Sequence, residues 1–248
     1  MSKLKLISLN IEIDRHPDTV LPFLRKENPD VACLQEVLEK DVPVFETALG
    51  MKSYFAPVSI VDLKYFEGKL VTDEELVKKG PQGIAFFTRL PVREGGVEYY
   101  HGNPKEVTRH SVDYSRCFLW REVEKEDTVF TIGTTHFTWT PDGSASAEQR
   151  QDAKSLLAIL QRFPDIVFCG DFNAPRGDEI WNLFAERYHD NIPLEYVSSI
   201  DPELHRVKGL KRLVDGLFTT PSYRTSEVKL VGGVSDHMAV VGLLEKRD

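Results

Sequence analysis

Polar side chains suited to metal or phosphate chemistry end apolar, strand-like runs at widely separated points of the chain. Glu36 follows the apolar run at residues 31–34, where an ionised carboxylate is costly to bury unless it is paired or bound to a cation. Asn10 ends a second run and could complete a cation site through its carbonyl oxygen or a bound water. Taken alone, each side chain is more often a hydrogen-bonding loop residue than a ligand.

A carboxylate and an amide lie two positions apart in the segment Gly170-Asp171-Phe172-Asn173. Gly170 frees the backbone where a predicted strand ends, and residues two apart point to the same side of an extended chain. Asp171 could accept a proton from an attacking water while Asn173 positions that water or a phosphoryl oxygen. An ordinary Asp/Asn turn explains the segment equally well when it stands alone.

A hard oxygen ligand and a proton-transfer group are adjacent in Asp236-His237, directly before another predicted strand. Asp215 is an acidic residue inside an apolar run, and a hydrogen bond to His237 would both satisfy it and fix the imidazole tautomer. His136 closes a further strand and adds a second imidazole. One such histidine is usually structural, but the full set of coincidences indicates a site.

In this order, the motifs resemble the endonuclease/exonuclease/phosphatase superfamily, which includes deoxyribonucleases, repair nucleases, sphingomyelinases, inositol polyphosphate phosphatases and tyrosyl-DNA phosphodiesterases. The matching positions are Asn10, Leu34-Gln35-Glu36, Thr135-His136, Gly170-Asp171-Phe172-Asn173, Asp215 and Ser235-Asp236-His237. They cover nearly the whole chain, and although each motif is short, the ordered set is specific. The resemblance implies an enzyme that hydrolyses phosphoesters with one catalytic domain over residues 1–248.

The resemblance also implies a metal cofactor and its ligands. Glu36 would bind Mg²⁺ directly, and Asn10 and Asp236 would support the ion directly or through water. Mn²⁺ could substitute for Mg²⁺ at oxygen ligands of this kind. A displacement at phosphorus needs such a cation, an in-line nucleophile and donors aimed at the transition state.

The same resemblance assigns the remaining residues to water and phosphate. Asp171 would orient or deprotonate the attacking water, and Asn173 would hold that water in line. His136 and His237, the latter oriented by Asp215, would donate hydrogen bonds to the non-bridging phosphoryl oxygens. Whether Asp171 or the Asp215–His237 pair is the general base is left open by the sequence.

Three further stretches, residues 135–140, 148–150 and 171–176, resemble the branch that contains tyrosyl-DNA phosphodiesterases and uncharacterised bacterial relatives. The substrate-binding side chains predicted from this branch are Arg176, Thr138, Thr140 and Trp139. The arginine and the threonines would contact phosphate, and the tryptophan could stack on a base or an aromatic leaving group. Aromatic residues in such positions are more often part of a core or a rim.

Charge limits the substrate. A net charge of −8 argues against a sequence-independent grip on long nucleic acid, which depends on Lys and Arg neutralising phosphates. It leaves room for a nucleic-acid end or a small phosphoester, and the basic run at residues 205–212 is either a substrate contact or a solvated loop. We expect a Mg²⁺-dependent phosphodiesterase, with a phosphomonoesterase and a non-catalytic scaffold as the alternatives.

The predicted elements form two halves, each with a sheet and helices on one face. Stacked sheet on sheet, they give an α/β fold, a four-layered α/β/β/α sandwich of two mixed sheets with helices outside, whose strand ends meet at one edge. Predicted strands cover residues 4–11, 31–34, 54–61, 83–88, 116–123, 128–137, 165–169, 213–219 and 238–244. Predicted helices cover residues 19–27, 42–49, 147–161 and 178–188, and a charged surface insert is expected at residues 62–80.

The remaining expectations concern the setting of the protein. No secretory leader or membrane span is recognised, so a cytoplasmic monomer is expected, with no membrane and no protein partner. Cys33, Cys117 and Cys169 are odd in number and lie in apolar runs, which predicts buried, reduced thiols.

Overall fold

The computed structural model describes residues 2–60, 79–102 and 114–247. The charged insert predicted at residues 62–80 lies outside the described residues, apart from its last two positions. In the described ranges, no helix is long and apolar enough to cross a membrane. Cys33, Cys117 and Cys169 are buried and unbridged, as predicted.

Two six-stranded sheets form the body of the protein. The first sheet has the spatial order β11 (Tyr223–Val231), β12 (Ala239–Lys246), β1 (Lys3–Asn10), β2 (Val31–Leu38), β4 (Pro81–Thr88) and β3 (Lys52–Ile60). The second has the order β5 (Val92–His101), β6 (Arg116–Lys125), β7 (Thr128–His136), β8 (Val167–Asp171), β10 (Asp215–Thr219) and β9 (His189–Asp190). Both sheets mix parallel and antiparallel pairs.

Four α-helices are described, namely α1 (Pro17–Glu27), α2 (Val42–Leu49), α3 (Ala147–Leu160) and α4 (Glu179–Ala185), with a short 3-10 helix at Glu39–Asp41. Pro17 opens α1, where its missing N–H costs no helical hydrogen bond, and Gly50 ends α2 in the left-handed conformation. The side chain of Ser146 accepts a hydrogen bond from the backbone N–H of Gln149 and so caps α3.

Strand alternation builds the layers. Leu4 and Leu6 of β1 face the second sheet in one large apolar cluster, whereas Ile7 and Leu9 face α1 and α2 in another. The outer face of the second sheet is covered by apolar residues of α3 and α4, such as Leu156. The predicted four-layered sandwich is confirmed.

Several boundaries differ from the sequence-based prediction. β2 continues to Leu38, so Glu36 does not follow a strand but lies within one, at a β-bulge between Leu34 and Val37. The helix expected to reach residue 188 ends at Ala185. No element was predicted for β5, β9 or β11; β5 is mostly partly exposed and rich in charge and glycine, which weakens its apolar alternation.

Gly170 is the position where the backbone tolerates a side chain least. It has a φ of +142°, and a Cβ added there would lie 1.9 Å from the carbonyl oxygen of Thr135 in the neighbouring strand. We expect Gly170→Ala to lower the free energy of unfolding by about 2–5 kcal/mol, since it combines backbone strain with a clash against backbone. Urea denaturation measures this loss.

The matched control is Gly177→Ala. Gly177 also has a positive φ, +90°, but a Cβ there would meet nothing within 4 Å. Its expected cost is about 1 kcal/mol, from the backbone conformation alone. Equal losses in the two variants would show that the close approach of β7 and β8 is unimportant.

Candidate active site

Asp171 is the centre of the site. It is the last residue of β8, and strand register sets it opposite His136 of β7 on one side and Asp215 of β10 on the other. Its Oδ1 accepts a hydrogen bond from the backbone N–H of Asn173 at 2.8 Å, and its Oδ2 accepts one from Nδ2 of Asn10 at 3.2 Å. Groups from both sheets therefore hold this buried carboxylate.

His237 faces Asp171 and is oriented from behind. Its Nδ1 lies 2.7 Å from Oδ2 of Asp215, so the predicted hydrogen bond is present, and its Nε2 lies 3.8 Å from Oδ2 of Asp171. Burial opposes the charged imidazole, but the carboxylates of Asp215 and Asp171 outweigh it and raise the pKa of His237 well above its usual range. The ring is then an imidazolium, a donor at both nitrogens.

His136 approaches the same oxygen but has the opposite charge preference. Its Nε2 lies 3.5 Å from Oδ2 of Asp171 and 4.0 Å from Oε1 of Glu36. Burial lowers its pKa to about 4; Asp171 opposes this effect, and the nearby Arg116 guanidinium adds to it. Arg116 also donates a hydrogen bond to the carbonyl oxygen of His136 at 3.3 Å. The site thus combines a neutral and a charged imidazole.

The predicted metal ligands come from the first sheet. Asn10 ends β1, and its Nδ2 donates to Oε1 of Glu36 at 3.3 Å as well as to Asp171. Glu36 reaches this point because the β2 bulge holds it at a φ of +59°. Asp236 lies close enough to affect the pKa of Glu36. The hydroxyl of Ser235 donates a hydrogen bond to Oδ1 of Asp236 at 3.3 Å.

These ligands fit a divalent cation. Burial, and after it the carboxylate of Asp236, raise the pKa of Glu36 to about 7, so the protein alone stabilises its charge poorly. Carboxylate oxygens are the hard ligands that Mg²⁺ or Mn²⁺ prefers. The Oδ1 of Asn10 accepts a hydrogen bond from the backbone N–H of Glu12 at 3.1 Å, so the predicted contact of Asn10 with the ion stays a prediction. The Glu36 side chain is still 23% exposed, which allows an ion to reach it from solvent.

A comparison with known sequences identifies the family of this chain. A sequence model of the Endonuclease/Exonuclease/phosphatase family matches residues 7–237, a span that contains every residue named so far in this site. The chain belongs to that family. A search among curated proteins found no significant match.

Solved structures of the family share the fold. The chain is similar to an endonuclease/exonuclease/phosphatase from Bacteroides vulgatus at 18% identity and a TM-score of 0.73, with 100% of both chains covered. It is similar to a mannosyl-6-phosphatase from Bacteroides thetaiotaomicron at 16% identity and a TM-score of 0.66, covering 98% of this chain and 99% of that one. It is also similar to humanized D. rerio TDP2 at 16% identity and a TM-score of 0.65, covering 99% and 100%. At these identities the similarity shows the fold.

Asn173 of this family member links two loops. It has a φ of +49°, and its Nδ2 donates to the carbonyl oxygen of Phe137 at 3.0 Å, directly after His136. Its backbone N–H is the group that binds Asp171. Asn173 therefore holds together the loops that follow β7 and β8. Its predicted role in positioning the attacking water stays a prediction.

The predicted substrate-binding residues fall into two groups. Thr138, Trp139 and Thr140 lie in the loop after His136, where Thr138 donates to Oδ2 of Asp152 at 2.5 Å and Trp139 is 49% exposed. The hydroxyl of Thr140 is buried and has no hydrogen-bond partner among the described residues. Trp139 is exposed, whereas Thr138 and Thr140 are buried, and the predicted substrate contacts of all three stay a prediction.

Arg176 points elsewhere. Its Nε lies 2.8 Å from Oδ2 of Asp190, and its other nitrogens donate to the carbonyl oxygens of Ile192 and Pro193. These bonds attach the loop after β8 to the loop after β9. Arg176 is engaged in the fold in this arrangement, so its predicted phosphate contact stays a prediction.

Sequence reasoning missed two supporting residues. The Nε2 of Gln149 on α3 donates to the carbonyl oxygen of Thr138 at 2.6 Å and contacts that of Asn173 at 3.5 Å, so it ties the two active-site loops together. Asp201 donates its backbone N–H to the carbonyl oxygen of Asp236 at 2.8 Å. Gln149 belongs to the stretch at residues 148–150 that resembles the tyrosyl-DNA phosphodiesterase branch, but that resemblance assigned it no role. Asp201 belongs to none of the predicted motifs.

Proposed function

We propose that this chain is a Mg²⁺-dependent phosphodiesterase that hydrolyses a phosphoester by in-line attack of water, on a nucleic-acid end or a small diester. The observation that carries the proposal is the convergence of both imidazoles and Asn10 on one oxygen of Asp171. The family match and the fit of the carboxylates to a divalent cation support it. Mn²⁺ should replace Mg²⁺, since both take oxygen ligands.

The residues divide the work as follows. Glu36, Asn10 and Asp236 would hold the cation, which when bound would neutralise charge on the phosphoryl oxygens. Asp171 orients the attacking water and takes its proton, while Asn173 keeps the loop beneath it in place.

The two histidines stabilise the transition state. His136 and His237 donate hydrogen bonds to the non-bridging oxygens as charge builds there. Asp215 holds His237 with its Nε2 toward Asp171, so the donor is aimed before substrate arrives.

We further propose that the substrate is a diester rather than a monoester. Likeness of residues 135–140 and 171–176 to the tyrosyl-DNA phosphodiesterase branch, together with the exposed Trp139, favours a diester with an aromatic or nucleotide group. A phosphomonoesterase is the second candidate, since a fold neighbour is a mannosyl-6-phosphatase. A non-catalytic scaffold is disfavoured because every metal and water residue of the family set is present.

The test is hydrolysis of bis(p-nitrophenyl) phosphate and of p-nitrophenyl phosphate by the purified protein. With Mg²⁺ or Mn²⁺, we expect the diester to have the higher kcat/KM, by about tenfold or more, or ~1.4 kcal/mol in transition-state binding. EDTA should abolish turnover, and added Mg²⁺ should restore it. Preference for the monoester would support the phosphatase instead, and turnover that survives EDTA would contradict the metal dependence.

A further inference from the structure

The loop of residues 201–212, here called the cationic loop, begins at the metal site. The backbone N–H of Asp201 donates to the carbonyl oxygen of Asp236 at 2.8 Å. The Oδ2 of Asp201 accepts a hydrogen bond from the backbone N–H of Gly233 at 2.7 Å, and its Oδ1 accepts from Glu203 and Leu204 at 2.9 Å each. The start of the loop is therefore tied to the segment that carries a predicted metal ligand.

The loop also ends at the site. The carbonyl oxygen of Arg212 accepts a hydrogen bond from the backbone N–H of Ser199 at 2.9 Å. The hydroxyl of Ser199 accepts from the backbone N–H groups of Val214 and Asp215 at 2.9 and 3.0 Å. Both ends of the cationic loop are therefore anchored to the segments that carry Asp236 and Asp215.

The middle of the cationic loop carries three exposed cations. Arg206, Lys208 and Lys211 are exposed, and in the described parts of the chain none of them forms an ion pair. The ammonium of Lys208 donates a hydrogen bond to the carbonyl oxygen of Glu203. Arg150, another exposed cation, is by contrast paired with Glu179. These cations, in a loop anchored beside the site, give a local positive field in a protein whose net charge is −8.

Arg212 connects the cationic loop to the loop that carries Trp139. A Cβ added at Gly143 would lie 2.7 Å from Nη1 of Arg212, so the guanidinium rests against the loop that follows β7. Trp139, 49% exposed, is in that same loop. Cations and an accessible aromatic ring thus border the site together, which is the combination that binds single-stranded nucleic acid.

We infer that the cationic loop binds the phosphates of nucleotides that flank the scissile ester in a single-stranded nucleic-acid end. This inference rests on the proposed function for the chemistry, and adds the part of the substrate that does not react. The rest of the surface is net negative, so only the short segment next to the site gains attraction, which suits an end rather than a long duplex.

The double variant Arg206→Gln/Lys211→Gln tests the inference. Both side chains are exposed and make no hydrogen bond among the described residues, so the fold should be retained, as circular dichroism and thermal melting can verify. The probe is a short fluorescein-labelled oligothymidylate, and its affinity is measured by anisotropy in EDTA over a range of salt concentrations, where no cleavage occurs. We expect the slope of log K against log salt to become shallower by about 1.4, or ~0.7 per lost contact.

The control is Arg89→Gln/Lys52→Gln, which removes two exposed cations near Thr88, the β4 residue paired with Val31 at the start of β2, away from Glu36. It should leave affinity and slope unchanged. Hydrolysis of bis(p-nitrophenyl) phosphate, which has no flanking phosphate, should stay within about twofold of the parent in both double variants. If Arg206→Gln/Lys211→Gln binds the oligonucleotide with the same affinity and salt dependence as the control variant, the inference is wrong.

Anionic vesicles provide the competing outcome, because Val207 within the loop is 53% exposed and a lipid surface also attracts cations. Loss of binding to phosphatidylserine vesicles with unchanged oligonucleotide binding would overturn the inference in favour of a membrane. Failure of the proposed function is distinguishable, since the binding assay needs no turnover. If the parent protein does not hydrolyse diesters but Arg206→Gln/Lys211→Gln still lowers its affinity for the oligonucleotide, the proposed function fails and the inference about binding stands.

Discussion

Asp171→Asn is expected to lower kcat/KM for the diester by about 10³-fold or more, which corresponds to roughly 4 kcal/mol of transition-state stabilisation. The asparagine can keep the hydrogen bond from the backbone N–H of Asn173, so the loop should hold its shape. What is lost is a carboxylate that lies near both imidazoles and can take a proton from water. Steady-state kinetics with bis(p-nitrophenyl) phosphate measures the effect.

Asp165→Asn is the control, because Asp165 pairs with Lys246 and Ser222 and belongs to none of the site motifs. It should retain the parental kcat/KM. A loss in Asp171→Asn no greater than in Asp165→Asn would remove Asp171 from the mechanism.

Asp215→Asn decides between the two bases that the sequence leaves open. If Asp171 takes the proton, Asp215→Asn acts only by weakening the orientation and charge of His237, and its loss should be smaller than that of Asp171→Asn. A loss as large as, or larger than, that of Asp171→Asn would instead assign the base to the Asp215–His237 pair.

Glu36→Gln is expected to have opposite effects with and without metal. In Mg²⁺ it should raise the concentration needed for half-maximal activity by about 10–100-fold or more, since weaker changes around a metal already cost that much. In EDTA it should stabilise the fold by on the order of 1 kcal/mol, because it removes a charge that burial and Asp236 disfavour.

Thermal melting in EDTA measures the stability of the metal-free protein, and melting in Mg²⁺ measures the stabilisation by the bound ion. A cation bound only by the folded parent raises its stability by about 2.7 kcal/mol at one hundred times Kd, and the variant should lack most of this gain. Glu46→Gln is the control, since the Glu46 carboxylate accepts hydrogen bonds from Ser53 rather than facing the site. Equal Mg²⁺-induced stabilisation in Glu36→Gln and the parent would contradict the ligand assignment.

Local residue patterns determined much of this protein. Apolar runs predicted most of the strands, and polar residues at their ends predicted where the chemistry would lie, because a buried strand and its exit differ in side-chain character. The ordered motifs further indicated the family and hence the layered fold. These signals depend on residues that are close together in the chain, so they can be recognised without the tertiary structure.

Strand register was decided only by the tertiary structure. His136, Asp171 and Asp215 are side by side because three strands pair in one alignment, and a shift of one residue would turn each side chain to the opposite face. Glu36 reaches the site through a β-bulge between Leu34 and Val37, and no glycine in that segment signals the bulge in the sequence. The hydrogen bonds of Arg176 likewise depend on the position of β9, a strand too short to predict.

Protonation is the clearest case of a property the sequence could not contain. His136 and His237 are the same residue type at similar burial, yet the pKa of His136 falls to about 4 while that of His237 rises well above its usual range. The difference comes from Asp215, brought within 2.7 Å of His237 by the fold, and from Arg116, brought beside His136. The sequence by itself determined which groups could do chemistry, and packing across the two sheets decided their charges, since Coulombic and desolvation energies depend on distances that only folding sets.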